Sequence, residues 1–275
     1  MMKHQQEIKI ALIDMNKGLP NQGIKSILGI LSSYQKTQGI NLDVQLFDLR
    51  AKNEIPGLEH DIYISSGGGG SPFDGKDQQW ERSFFELLDR IESFNAAEKR
   101  KKHVFLICHS FQLACRKYGI GNVLKRESTA FGIFPIKVTP DGETDTIFAG
   151  LDNPLYVVDS RNWQVVEPSS ELAESGTTMI LAYEDRSVET DQAPCIMSIR
   201  FSDAVVGTQF HPEAGNRGMK TYLLNTERKA EIIEANGEEC YTEMLQSLEN
   251  PKRIAKTKLH IIPNFLTKAI QSLNS

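Results

Sequence analysis

Read along the chain, apolar positions fall first into a short run and then into a helical spacing. Ile8 to Ile13 (Ile-Lys-Ile-Ala-Leu-Ile) is β-rich and stops at Asp14 before a Gly/Pro/Asn segment, which predicts a strand followed by a loop. Gln22 to Tyr34 then repeats apolar residues at helical spacing. Strands are predicted at Leu42 to Phe47, Asp61 to Ser65 and His103 to Ile107. The longest helix is predicted over Asp77 to Phe94, where Trp80, Phe84, Leu87, Leu88 and Ile91 share a stripe.

Strands alternating with helices imply parallel pairing, because a parallel connection needs a crossover and a helix supplies it. The expected fold is therefore α/β, a doubly wound and mostly parallel sheet. Ligands in such sheets bind at the carboxyl ends of the strands. Two unusual segments fall there, Ser65 to Pro72 and Cys108 to Gln112.

After Tyr118 the pattern turns β-rich, with runs at Phe131 to Val138, Pro154 to Val158, Met179 to Ala182, Cys195 to Phe201 and Val205 to Phe210. Some of these are expected to extend the sheet by antiparallel pairing. Beyond Glu213 the chain becomes Lys/Glu-rich and helical, with Ile232, Ile233, Tyr241, Met244 and Leu245 as packing positions and Pro251 and Pro263 as expected breaks. The simplest division is one domain over 1–219 with a C-terminal helical extension over 220–275 packed on it.

Composition narrows the function classes. A net charge of -5 over 275 residues gives no basic footprint, so nucleic acid is not an expected partner. No 18 consecutive apolar residues occur, and the start of the chain, Met1 to Glu7, has neither a long hydrophobic region nor a small-residue cleavage site. The four cysteines, Cys108, Cys115, Cys195 and Cys240, stand too far apart for a zinc site or redox pair. A reducing, cytoplasmic setting is expected, with no membrane, metal or cofactor. Glu98 to Lys102 reads as the solvated end of a helix, where the dipole favours cations.

Candidate chemistry lies in three segments. Cys108 stands between the strand Val104 to Ile107 and a helix from about His109 to Tyr118. A helix N-terminus favours the thiolate, yet taken alone a free cysteine is more often a small buried hydrophobe. Gly67 to Gly70, between Ser66 and Ser71, can turn backbone N–H groups toward developing negative charge; it can equally be a turn, and it lacks the lysine of a phosphate-binding loop. In Gly207 to Glu213, His211 can act as base and acid while Glu213 orients it. Trp80, Phe84 and Phe85 read as helix packing. Trp163 either borders a substrate or packs in the core.

The segment Gly-Thr-Gln-Phe-His-Pro-Glu, residues 207 to 213, resembles the Gly-x-Gln-Phe-His-Pro-Glu segment of class I glutamine amidotransferases, with every fixed position matched. Leu106 to Gln112 is similar to that family's Gly-x-Cys-x-Gly-x-Gln elbow, with Leu106 and Ser110 in place of the glycines. Ser66 to Ser71 resembles its Ser-Gly-Gly-Pro-x-Ser loop, with Gly69 where proline is usual. The three segments keep the family's order. The wording is nearest that of the amidotransferase domain of guanylate (GMP) synthase.

The resemblance implies a flavodoxin-like fold and a Cys108, His211 and Glu213 triad. It also implies an oxyanion hole from the backbone N–H groups of Gly68 and His109, and substrate contacts from Gln112 and from a pocket loop at Asp159 to Asn162, chiefly Ser160 and Arg161. Arg161 stands where the family has histidine. Glutamine or a γ-glutamyl small molecule would be the substrate. Since no part of the 275 residues reads as ATP-binding, the ammonia would pass to a separate synthetase subunit. The alternatives are a stand-alone γ-glutamyl hydrolase and a non-catalytic binding relative, the latter motivated by Leu106 and Arg161.

Overall fold

The computed structural model describes residues 7–166, 178–185, 194–215, 219–220, 223–224, 226–249 and 251–274. Met1 to Gln6, part of the segment read for a leader, lie outside them. Among the described residues nine strands form one sheet: β1 (Ile8–Asp14), β2 (Leu42–Asp48), β3 (Ile62–Ser65), β4 (His103–Ile107), β5 (Asn122–Val138), β6 (Leu155–Val166), β7 (Met179–Glu184), β8 (Ile196–Ser202) and β9 (Val205–Thr208). Their order is β2-β1-β3-β4-β9-β8-β7-β5-β6. The pairings from β2 through β9 are parallel and those from β9 through β6 antiparallel, so the sheet is mixed.

The inner parallel strands β1, β3, β4 and β9 are buried on both faces, which is why they read as near-continuous apolar runs, while the edge strand β2 is only partly buried. On one face lies α1 (Gln22–Gln38), whose Ile24, Ile27, Leu31 and Tyr34 pack on Ile10, Leu12 and Ile64. On the other face lie α3 (Gln79–Ala97) and α4 (His109–Tyr118), packed around Tyr63, Val104 and Leu106. A short α2 (Leu49–Lys52) follows β2, and α5 (Pro140–Thr144) follows β5. The predicted stripe on α3 is buried as expected. Asn21 caps α1 by accepting from the N–H groups of Gly23 and Ile24, and Gly39 ends it in the left-handed region.

Two helices close the chain, α6 (Thr226–Glu249) and α7 (Pro251–Leu273). Through Tyr241 and Met244, α6 covers Ile133 and Val158 of the antiparallel half. Through Phe265 and Leu266, α7 lies on the same face as α1, with Phe265 5.1 Å from the Phe105 ring and the Thr267 hydroxyl 2.9 Å from that of Tyr34. Pro263 does not break the chain there as expected. It sits inside α7, and the carbonyl it deprives of a donor belongs to Leu259, an exposed residue. Lys101 donates to the carbonyls of Asn95 and Glu98 at the end of α3, as a cation at a helix C-terminus should.

The segment Asp159 to Asn162 is a second departure. It is not a loop but the middle of β6. Asp159 and Arg161 point to a buried face and pair with each other, whereas Ser160 and Asn162 are exposed. The period-two alternation of a strand is present, but polar residues occupy both faces, so hydropathy does not show it.

Candidate active site

The end of β4 turns sharply into α4 at Cys108, whose φ of 48° and ψ of -96° lie outside the ordinary regions for a side-chain-bearing residue. Such a turn exposes a nucleophile above the strand ends. The elbow is held from below: Cys108 N–H donates to Thr208 O at 2.8 Å, and Gln112 N–H to Cys108 O at 3.0 Å. Leu106 fits because it runs beside Gly207, where a Cβ would come within 3.1 Å of the leucine's own, and because its side chain joins the α3 and α4 layer. Ser110 fills the second unusual position. Its hydroxyl accepts from Ile107 N–H at 3.0 Å and lies 2.9 Å from Ser65 O, fastening the elbow to the end of β3.

His211 and Glu213 follow β9. The His211 Nδ1–H donates to Glu213 Oε1 at 2.8 Å, which leaves Nε2 for the Cys108 side. Burial alone would lower the imidazole pKa. The Glu213 carboxylate and Cys108 outweigh it and raise the value well above the ordinary one. His211 is also fixed by its backbone, whose N–H donates to Val158 O at 2.8 Å. Glu213 is 3 % exposed and lies beside the start of α1, where a Cβ on Gly23 would be 3.0 Å from its Oε1. A carboxylate is favoured at that positive helix end.

The glycine loop runs past both groups. A Cβ on Gly67 would be 2.7 Å from His211 Cε1 and 3.4 Å from Cys108 Cβ, so thiol and imidazole meet over one backbone position. Among the described residues, no backbone carbonyl accepts from the Gly68 N–H, and that of His109, in the first turn of α4, has no intrahelical acceptor. The His109 ring turns the other way, into the core near Trp80, where burial and then Arg50 lower its pKa to about 3.

A cavity of about 280 Å³ opens here, lined by Cys108, His211, Glu213, Gly67 to Gly70, Gln112, Ser160 and Arg161 together with Asn16, Asn21, Thr129, Asn162 and Trp163. The structure thus gathers all the candidate side chains from the sequence except that of His109, whose candidate group is its backbone N–H. Arg161 reaches the cavity, but Asp159 Oδ2 lies 2.7 Å from its Nε and Glu184 Oε1 3.3 Å from its Nη2. Those carboxylates hold it as a cation despite burial. Gln112 donates to Trp163 O at 3.2 Å and to Gln209 Oε1 at 3.1 Å.

Gln209 was not among the residues marked in the sequence. Its Nε2 lies 3.6 Å from Cys108 Sγ, linking the thiol to Gln112. Its place in the Gly-Thr-Gln-Phe-His run was the available signal. Asn16 and Asn21, from the loop after β1, carried none, because an Asn/Gly/Pro loop looks the same whether it lines a site or only turns. Among the described residues, no group of His, Cys, Asp and Glu is arranged to hold a metal ion, and no helix is long and apolar enough to cross a membrane.

Comparison with known proteins bears on the family and the fold. The sequence profile of glutamine amidotransferase class-I matches residues 24–230. No curated protein sequence matches the chain. Among solved structures, a glutamine amidotransferase from Thermotoga maritima is similar with a TM-score of 0.64 and 16% identity, covering 98% of this chain and 100% of that one. The glutaminase domain of CTPS from Trypanosoma brucei, with bound acivicin, has a TM-score of 0.57 and 12% identity over 96% and 94%. A Thermoplasma acidophilum protein assigned to GMP synthase, as one of its subunits, has 0.51 and 15% over 90% and 98%. At these identities the likeness is one of fold.

Proposed function

The chain belongs to the class-I glutamine amidotransferase family, and on that premise we propose that it hydrolyses the side-chain amide of glutamine through a thioester on Cys108 and supplies the ammonia to a separate synthetase. The observation that carries this reading is the His211 to Glu213 hydrogen bond of 2.8 Å set against the thiol at a strained elbow.

In this reading the Cys108 thiolate attacks the amide carbon, and the carbonyl electrons move onto oxygen, where the Gly68 and His109 N–H groups receive the charge. The tetrahedral species collapses as the His211 imidazolium gives its proton to the departing nitrogen, releasing ammonia and leaving the glutamyl thioester. His211, now neutral, takes a proton from water as that water attacks the thioester. The C–S bond breaks, and glutamate leaves. Glu213 holds the imidazole's tautomer throughout. Gln112, Ser160 and Arg161 border the substrate, and Gln209 joins them by its contact with the thiol.

The accommodation of Leu106 beside Gly207 supports catalysis over a binding-only role, since the elbow keeps its turn despite the large residue. We take 1–219 as the amidotransferase domain, with 220–275 completing it through the Tyr34 to Thr267 and Phe105 to Phe265 contacts. A reducing cytoplasm is the setting in which a free thiol serves.

The test is ammonia release from glutamine by the purified protein beside Cys108→Ala, followed by acid quench and mass spectrometry for a glutamyl adduct on Cys108. Release that the alanine variant retains in full overturns the reading. Copurification of a synthetase with the tagged chain tests the partner, and a panel of γ-glutamyl amides tests the substrate.

A further inference from the structure

Four consecutive glycines make a poor scaffold, because glycine holds a fixed conformation less readily than any other residue. The loop over Gly67 to Gly70 is nonetheless tightly seated. A Cβ on Gly68 would lie 2.0 Å from Met15 O, and one on Gly70, whose φ is +95°, 2.4 Å from Asp74 Oδ2. Gly69 differs: nothing stands within 4 Å of where its Cβ would be. Backbone packing therefore leaves this position loose.

Arg50 of α2 supplies the restraint. Its Nη1 donates to Gly69 O at 2.7 Å and to Met15 O at 3.0 Å, bridging the glycine loop to the end of β1. The side chain is 0% exposed, and its guanidinium carbon lies 4.9 Å from the Trp80 ring centroid. Its Nη2 is 3.9 Å from Asp74 Oδ2, and that oxygen accepts from Ser71 N–H at 3.1 Å on the far side of the loop. A planar guanidinium wedged on an aromatic ring is stiff, and each bond it makes costs little further ordering.

We propose that Arg50 is a positioning residue that clamps the Gly69 carbonyl and so fixes the aim of the Gly68 N–H, supplying by hydrogen bonding the rigidity that a proline at position 69 would supply by its ring. The inference rests on the reading of Gly68 as an oxyanion donor. The Gly68 N–H lies in the Gly67–Gly68 peptide, one unit before the clamped carbonyl; with Met15 O set against Gly68 and the Arg50 guanidinium holding Gly69 O, the rotation about Gly68 that would re-aim that N–H is restrained. Misplacing an oxyanion donor by a fraction of its bond length removes stabilisation that only the transition state feels.

The test compares the full-length protein with Arg50→Met, Arg50→Lys, Gly69→Pro and the Arg50→Met/Gly69→Pro double variant. Readouts are Cys108-dependent ammonia release from glutamine and hydrogen exchange over residues 66–71. Arg50→Met is expected to lower kcat about 10- to 100-fold, with KM within about threefold, and to speed exchange in the loop. Arg50→Lys, which keeps a donor, falls between, and Gly69→Pro in the Arg50→Met background restores most of kcat and the slow exchange. A purely structural arginine would move the melting temperature without this split or this rescue. An Arg50→Met kcat within about twofold of the parent, or a double variant no better than Arg50→Met, overturns the proposal. If Arg50→Met does not fold, Arg50→Lys alone and with Gly69→Pro decides by the same criteria. If the parent releases no Cys108-dependent ammonia, the reading under Proposed function fails. The exchange arm then decides the clamp, and unchanged loop exchange without Arg50 sinks it.

Discussion

Glu213 Oε1 accepts the His211 Nδ1 proton at 2.8 Å, while the rest of the Glu213 carboxylate is buried. The pair fixes which ring nitrogen faces Cys108. Replacing Glu213 by Gln keeps the shape and removes the charge, so kcat for Cys108-dependent glutamine hydrolysis is expected to fall by roughly 10²- to 10⁴-fold with the fold intact. Because Glu213 is the chief cause raising the His211 pKa, NMR titration of the ring should show it moved down. An unchanged titration would count against the coupling.

The elbow stores strain that glycine would release. At Cys108 the φ of 48° costs a side-chain-bearing residue on the order of 1–3 kcal/mol, and glycine adopts it freely. Cys108→Gly is expected to abolish hydrolysis and to raise Tm, by about 2–4 °C per kcal/mol recovered. Calorimetry on the two proteins checks this, and a lower Tm in the glycine variant would contradict it.

Ser110 carries the opposite expectation. Its hydroxyl serves Ile107 N–H and lies within hydrogen-bonding distance of Ser65 O, all buried. Ser110→Ala leaves these groups unpartnered and is expected to cost about 1–3 kcal/mol in denaturant unfolding. Ser110→Gly should cost no less, although glycine is the usual residue in the motif it resembles. Loss of under about 0.5 kcal/mol in both would show that water replaces the hydroxyl.

These residues also show where the sequence was legible. The inner parallel strands were readable because burial on both faces writes itself as apolar runs, as in Val104 to Ile107. The juxtaposition of Cys108, His211 and Glu213 was readable because the segments that carry them are short and contiguous in the chain. Arg50, Asn16, Asn21 and Gln209 were not, since their contacts come from tertiary approach: Arg50 meets Gly69 across 19 residues and Gln209 meets Cys108 across 101. The strand character of Asp159 to Asn162 was hidden by the Asp159 to Arg161 ion pair, which lets charged residues occupy buried positions.

Acid should weaken the fold through His103, at the start of β4. Burial, aided by Lys268 and Arg200, lowers its pKa to about 4. Between pH 6.5 and about 4 the unfolded chain binds a proton that the folded chain does not, so stability falls as pH falls through that window, by up to about 1.4 kcal/mol per pH unit. His103→Leu is expected to flatten the dependence of stability on pH there. An equal slope in parent and variant would assign the acid sensitivity elsewhere.

Gly67 gives the sharpest separation of site geometry from stability. An added Cβ there would meet His211 Cε1 at 2.7 Å and Cys108 Cβ at 3.4 Å, closer than the ring can tolerate without moving. The φ of Gly67 lies outside the left-handed region, so alanine brings no backbone strain of its own. The methyl must therefore push the imidazole off the thiol or the loop off the elbow. In the proposed mechanism proton transfer from His211 to the leaving nitrogen depends on that alignment, and displacement on the order of 1 Å costs about 100-fold. Gly67→Ala is thus expected to lower kcat by about that factor while its unfolding midpoint stays near the parent's. Because Glu213 still holds Nδ1, the His211 pKa should remain raised above the ordinary value. A Gly67→Ala protein with parental kcat would mean that the imidazole and thiol do not need the spacing this glycine allows, and the triad assignment would have to be redrawn.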